Sequence, residues 1–232
     1  MASLHRWPVK SLAGEPVDTS RLDDRGFAGD RGHALFDVHR GSPRRLTIRQ
    51  VPRMLRWAAS YGGADLALDE LPPPWLTGPD GTTWEWDDPD LPTAMAEDLG
   101  RPVELRRDTA LMPDLPDSVL ITTRATLDAV GEALGRPLDL RRFRTNAHVV
   151  LDADPYAEEG WEGRRLWIGG AELRLLHPCE RCVIPTRDPD TTDKHAEILR
   201  WLSRERRTLF GINARAVRPG RVTVGDRVTV GD

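Results

Sequence analysis

Two apolar segments meet at Gly169-Gly170. Leu166-Trp167-Ile168 runs up to the pair, and Ala171-Glu172-Leu173-Arg174-Leu175-Leu176 leaves it. A Gly-Gly step between such runs signals a two-residue hairpin, because the turn that matches strand twist needs positive φ. Short strand-like runs bounded by Gly, Asp and Pro occur along most of the chain. Gly32-His33-Ala34-Leu35-Phe36-Asp37-Val38 follows the Gly-rich turn Gly26–Gly32. Val119-Leu120-Ile121 and His148-Val149-Val150-Leu151 read as strands, and Arg221–Val230 reads as strand, turn, strand in the manner of a hairpin. Leu71-Pro72-Pro73-Pro74-Trp75 must be loop or polyproline-like. Helices are few. Pro92–Leu99 forms a short one ending at Gly100. A second starts at Thr122 or Thr123, with Leu127, Val130 and Leu134 on one face, and stops at Gly135 and Pro137. Residues 195–206, with Ile198, Leu199 and Leu202, form a third. The expected fold is mostly β with a few helices (α+β), a barrel or sandwich. A linker is expected at residues 111–118, dividing a β-rich unit at 1–110 from a second at 111–232.

Composition narrows the function. The chain has 232 residues, enough for a sizeable core, and its 39% hydrophobic content is that of a globular protein. No apolar run approaches the ~20 residues of a membrane helix, and the N-terminus has no signal-peptide stretch. The expectation is a cytoplasmic monomer that does not contact membrane. Net charge is −4, which argues against a general nucleic-acid binder. Arg141, Arg142 and Arg144 nevertheless cluster, and such a group can hold a small anion. The eight Trp are read as packing residues.

The only two cysteines lie in His177-Pro178-Cys179-Glu180-Arg181-Cys182-Val183-Ile184-Pro185. Zinc needs four ligands and no second pair exists. An iron–sulfur cluster wants four thiolates. A thioredoxin-type pair opens a helix, whereas Val183-Ile184-Pro185 reads as extended. Two readings remain: one thiolate serving as metal ligand or nucleophile, or two small buried loop residues. Lys10-Ser11 lacks the frame of a nucleotide-binding P-loop but can still bind a phosphate. Gly29-Asp30-Arg31 offers a further cation beside flexible backbone, and Arg144-Thr145-Asn146 combines a forked donor with an amide.

Taken in order, these segments resemble the MOSC family, named for the C-terminal domain of molybdenum cofactor sulfurase and including its amidoxime-reducing branch. The resemblance runs through Trp7-Pro8-Val9-Lys10-Ser11-Leu12, Arg25-Gly26, Gly29-Asp30-Arg31 and Leu46-Thr47-Ile48-Arg49-Gln50. It continues through Leu120–Thr123, Arg142–Asn146, Cys179–Pro189, Leu209-Phe210-Gly211 and Pro219–Asp226. It implies an N-terminal β domain plus a C-terminal MOSC β-barrel sharing a molybdenum–molybdopterin cofactor (Moco). The metal ligand and catalytic residue would be Cys182, with Cys179 supporting or structural. Lys10, Ser11 and Arg31 would hold the pterin phosphate, and Thr122, Thr123, Arg144 and Asn146 would line the cofactor. The family often has Arg-Pro-Asn where this chain has Arg144-Thr145-Asn146. The resemblance implies an oxidoreductase acting on small N-oxygenated substrates, with electrons from a separate electron-transfer protein. The alternative is a cofactor carrier or sulfur-transfer module. The pyridoxal phosphate association of the sulfurase belongs to a larger domain for which this length leaves no room.

Overall fold

The computed structural model describes residues 1–37, 43–67, 71–107 and 119–232. The expected linker at 111–118 and Val38 lie outside the described residues. In chain order the first part contributes β1 (Ser3–Arg6), β2 (Glu15–Val17), β3 (Thr19–Asp23), β4 (Gly26–Phe27), β5 (His33–Asp37) and β6 (Arg44–Arg45). Next come β7 (Ala58–Ser60), β8 (Trp75–Thr77), β9 (Thr83–Trp84), α1 (Leu91–Leu99) and β10 (Val103–Arg107). The rest contributes β11 (Val119–Thr123), α2 (Arg124–Ala133), β12 (Ala147–Val149), β13 (Arg165–Ile168) and β14 (Ala171–Glu180). It ends with α3 (Ala196–Arg206), β15 (Leu209–Arg218), β16 (Gly220–Thr223) and β17 (Val228–Gly231).

The protein is mostly β, as its short punctuated strands require. An eight-stranded sheet, ordered β17-β13-β14-β15-β11-β12-β1-β2, curls as a half-barrel. Gly169-Gly170 makes the expected turn, with Ile168 opposite Ala171. Strands β11 and β12 pair in parallel, and α2 lies between them in the chain. Thr123 caps α2, its hydroxyl accepting the Thr126 N–H at 3.2 Å. Gly135, at φ 68°, stops it. One apolar cluster joins Leu4, Val17, Leu22 and Phe27 to β11, β12, β14 and β15 through Ile121, Val149, Leu173 and Ile212. A second, from Val9 to Val103, fills the N-terminal part around Met54, Leu76 and Met95. A third packs α2 and α3 on the stacked rings of Phe143 and Phe210, 3.7 Å apart between centroids.

Two local expectations give way. Arg221–Val230 is not a hairpin: β16 pairs with β3, while β17 pairs with β13 in the large sheet. Val222 and Val228 both drop into the first cluster, so burial of each side chain, and not the short turn between them, chooses the partner strand. After Cys182 the chain makes a 3₁₀ turn, Ile184–Thr186, where an extended segment was expected. The proline stands in its first turn, where its missing N–H costs nothing.

The ladder crosses from one half of the sequence to the other. The first strands β1 and β2 complete the sheet built from residues beyond 119, and β16 completes a sheet with β3 and β4. Loops from both halves therefore meet on one side. Within the N-terminal part, Gly14 permits a close approach: a Cβ there would lie 2.2 Å from the Arg6 carbonyl oxygen and 2.7 Å from the Trp7 ring.

Candidate cofactor cleft

A cleft of about 580 Å³ lies where those loops meet. Its walls include Lys10, Ser11 and Arg31 from the N-terminal part, and Arg144 and Asn146 from the C-terminal part. Five of the predicted site residues thus line one cavity. The Lys10 loop is pinned on both sides. Lys10 N–H donates to the His33 carbonyl at 2.8 Å, and Ala13 N–H donates to the Trp57 carbonyl at 2.8 Å. Ser11, Arg31 and Arg144 all hold positive φ, at 72°, 53° and 53°. Such conformations cost energy in residues with a side chain and persist only where the surroundings enforce them.

At Arg31 the neighbouring Asp30 is part of those surroundings. Its carboxylate accepts from the Trp7 N–H at 2.7 Å and from Asn146 Nδ2 at 3.1 Å, and it pairs with the Arg31 guanidinium. Asn146 Oδ1 in turn accepts from the Leu120 N–H at 3.1 Å. Arg144 donates to the Leu12 carbonyl at 2.8 Å and lies 4.3 Å above the Trp7 ring centroid. A cation over a Trp face is held by the ring quadrupole, so Trp7 positions a charge as well as filling the core.

The remaining predicted residues lie elsewhere. Thr122 and Thr123 are buried and absent from the wall, which takes Leu120 from the same strand. The Thr122 hydroxyl is 2.9 Å from His148 Nδ1, and Thr123 serves α2. Alternation turns Thr123 to the opposite face of the strand from Leu120, whereas Thr122 shares that face and its hydroxyl is engaged by Thr145 and His148. Of the arginine cluster only Arg144 reaches the cleft. Arg141 is taken by Asp139 and Asp190, and Arg142 by Asp188 at 2.5 Å.

Cys182 is not among the residues that line the cleft, but it follows Arg181 and is hydrogen-bonded by Arg49, both of which do. Burial pushes its thiol up. The Ile184 N–H, a hydrogen bond from Arg49 and the charges of Arg49 and Arg181 outweigh this, so its pKa is lowered. The 3₁₀ turn after Cys182 brings that N–H back onto the sulfur. Cys179 lines the cleft itself and accepts from Arg181 Nη1 at 3.0 Å. Register shifts between β14 and β15 on either side of Pro178 re-aim this stretch.

Arg45, Thr47, Arg49, Arg181, Ile184 and Asn213 also line the cleft and were not predicted. The Leu46–Gln50 and Cys179–Pro189 segments had been singled out as motifs, but which of their side chains face inward depends on tertiary packing. With Lys10, Arg31 and Arg144 the wall holds six cationic side chains, and no carboxylate appears in it among the described residues. Those residues hold no cluster of three or more His, Cys, Asp or Glu side chains able to bind a metal by themselves. Nor, among the described residues, does any helix run long and apolar enough to cross a membrane.

Fold and cleft define a two-part β protein with a strongly cationic, thiol-edged site assembled from both ends of the chain. The chain belongs to the MOSC domain family, which matches residues 113–229, while the MOSC N-terminal beta barrel domain matches residues 1–71. It is 33% identical over 122 residues to mitochondrial amidoxime-reducing component 1 of Homo sapiens, covering 47% of this chain and 35% of that protein. It is 26% identical over 228 residues to mitochondrial amidoxime reducing component 2 of Macaca fascicularis, covering 82% of this chain and 67% of that protein. Among solved structures, the YUAD protein from Bacillus subtilis overlays at a TM-score of 0.48 with 14% identity, over 98% of this chain and 92% of that one.

Proposed function

We propose that this chain holds a molybdenum–molybdopterin cofactor in the cleft. It uses the cofactor to reduce N-hydroxylated compounds with electrons from a separate protein. The carrying observation is the wall itself: six cations, no carboxylate and an adjoining thiol of lowered pKa, in a chain of net charge −4. The donor set suits the cofactor at both ends. Guanidinium and ammonium groups match a phosphate, and a thiolate matches a soft metal that needs a single protein ligand. Arg181 Nε, buried without a hydrogen-bond partner among the described residues, is a donor still to be satisfied.

In this reading Lys10, Ser11, Arg31 and Arg144 hold the phosphate, Asn146 orients the wall, and Cys182 is the metal ligand. When bound, the cofactor supplies a redox-active metal with a position open to substrate. In the overall reaction the N–O bond breaks, the nitrogen keeps a new N–H bond, and the oxygen leaves as water. An electron pair from the donor protein and two protons complete the balance. The names of the curated relatives support this substrate class.

A second reading rests on Cys179. This thiol lines the cleft and also a neighbouring cavity of about 680 Å³ with His177, Arg207 and Asn213. A sulfur reached from two sides suits a module that hands on the cofactor or a persulfide. One experiment separates the readings. Wild type, Cys182→Ser and Cys179→Ser are purified in parallel from a host that makes molybdopterin, then assayed for molybdenum and for amidoxime reduction. The first reading expects metal and turnover in wild type, loss of both in Cys182→Ser, and a smaller effect in Cys179→Ser. Full molybdenum in Cys182→Ser removes the proposed ligand. Cofactor release to an apo-enzyme without turnover favours the second.

A further inference from the structure

The cleft carries more positive charge than one phosphate monoester requires. Lys10 and Arg144, beside an Arg31 that is paired with Asp30, already match the charge of such a group. Arg45, Arg49 and Arg181 are surplus to it, and no carboxylate lines the cleft among the described residues. Like charges gathered in a concave site repel one another and are useful only where an anion arrives. Two of the three stand at the sulfurs: Arg181 donates to Cys179 Sγ at 3.0 Å, and Arg49 hydrogen-bonds Cys182. Their settings differ. Arg181 is partly buried, anchored on the Phe143 carbonyl at 2.7 Å, and its buried Nε has no partner among the described residues. Arg49 is exposed while still lining the cleft, so it meets whatever enters from solvent.

We propose that Arg49, backed by Arg181, forms a second anion subsite beside Cys182 and selects N-hydroxylated substrates that carry a carboxylate near the N–O group. The proposal rests on the function proposed above and adds its specificity. Arg49 is a specificity-determining residue: its charge acts on the substrate, leaving the phosphate to Lys10, Arg31 and Arg144.

The test uses molybdenum-loaded protein, a reduced viologen dye as electron source, and two substrates, a neutral aryl amidoxime and its carboxylate-bearing analogue. Wild type should favour the analogue. Arg49→Ala should lower that preference by about tenfold, the scale of one hydrogen bond to a charged group, and should do so through KM. Arg49→Lys should keep part of the preference, and Arg49→Glu should reverse it. Equal losses for both substrates in Arg49→Ala, or no preference in wild type, overturn the subsite. Loaded wild type that reduces neither substrate overturns the proposed function instead. Calorimetry on the purified protein then decides the subsite separately. The analogue should bind about tenfold more weakly to Arg49→Ala than to wild type, with the neutral compound less affected. An unchanged affinity ratio refutes the subsite.

Discussion

Asp30 accepts a hydrogen bond from Asn146 at 3.1 Å across 116 residues of chain. The same carboxylate holds Arg31 and the Trp7 backbone. One side chain therefore ties the N-terminal loops to the bend at Asn146 just before β12, and the cleft depends on that tie.

Asp30→Ala leaves an arginine, an amide and a backbone N–H without their acceptor. Breaking a buried pair costs about 3–5 kcal/mol. Arg31 keeps some contact with water, with 18% of its side chain exposed, so the expected loss is about 2–4 kcal/mol. Chemical denaturation of wild type and variant measures it. A change below about 1 kcal/mol, the size of one ordinary hydrogen bond, shows that the tie is dispensable.

Arg31→Ala and Arg144→Ala are each expected to weaken cofactor binding by about 1.5–3 kcal/mol, the range for hydrogen bonds to charged groups. Molybdenum and pterin occupancy after purification report the effect. Wild-type occupancy in both variants separates these arginines from the phosphate.

Two buried histidines make stability depend on pH. Burial pulls His33 down to about 4, helped by the charge of Arg107, and His148 down to about 4, helped by Arg124. Both return to about 6.5 on unfolding. The unfolded chain therefore binds more protons between these values. The contribution is full above pH ~6.5, falls as pH drops toward ~4, and is lost below that. Each histidine accounts for on the order of 3 kcal/mol across this window. His148→Gln should flatten the slope of unfolding free energy against pH in that range. An unchanged slope rules out His148 as a source.

Glu158 acts in the opposite direction. It is 1% exposed, accepts from Thr126 Oγ1 at 2.8 Å, and its Oε1 has no partner among the described residues. Burial raises its pKa against the hydrogen bonds that lower it. The unfolded carboxyl loses its proton first, so stability falls as pH rises above the ordinary carboxylate value. Glu158→Gln, neutral at every pH, should gain stability relative to wild type at pH 8 more than at pH 5. Melting temperatures at both values check this, and equal shifts contradict it.

Much of the architecture was legible in the chain. The Gly169-Gly170 turn, the buried strand at Val119, the Thr123 cap and the helix around Ile198 and Leu202 are set by neighbours within a few residues. Periodicity and turn chemistry express those interactions directly. The motifs also marked Lys10, Ser11, Arg31, Arg144 and Asn146, all of which reach one cleft.

The sequence by itself determined the local elements and the residue types available for chemistry. Only the tertiary structure decided which side chains face the cleft. Thr123 faces away from Leu120 across the strand, and Thr122, on Leu120's face, is engaged by Thr145 and His148. Arg141 and Arg142 are drawn off by Asp139, Asp188 and Asp190, while Arg49 and Arg181 are brought in. Arg221–Val230 reads as a hairpin, yet its two strands join different sheets while Val222 and Val228 are both buried in one apolar cluster. The reason is common to all three cases. Facing, pairing and strand partner are settled by contacts between residues far apart in sequence, and no local window contains them.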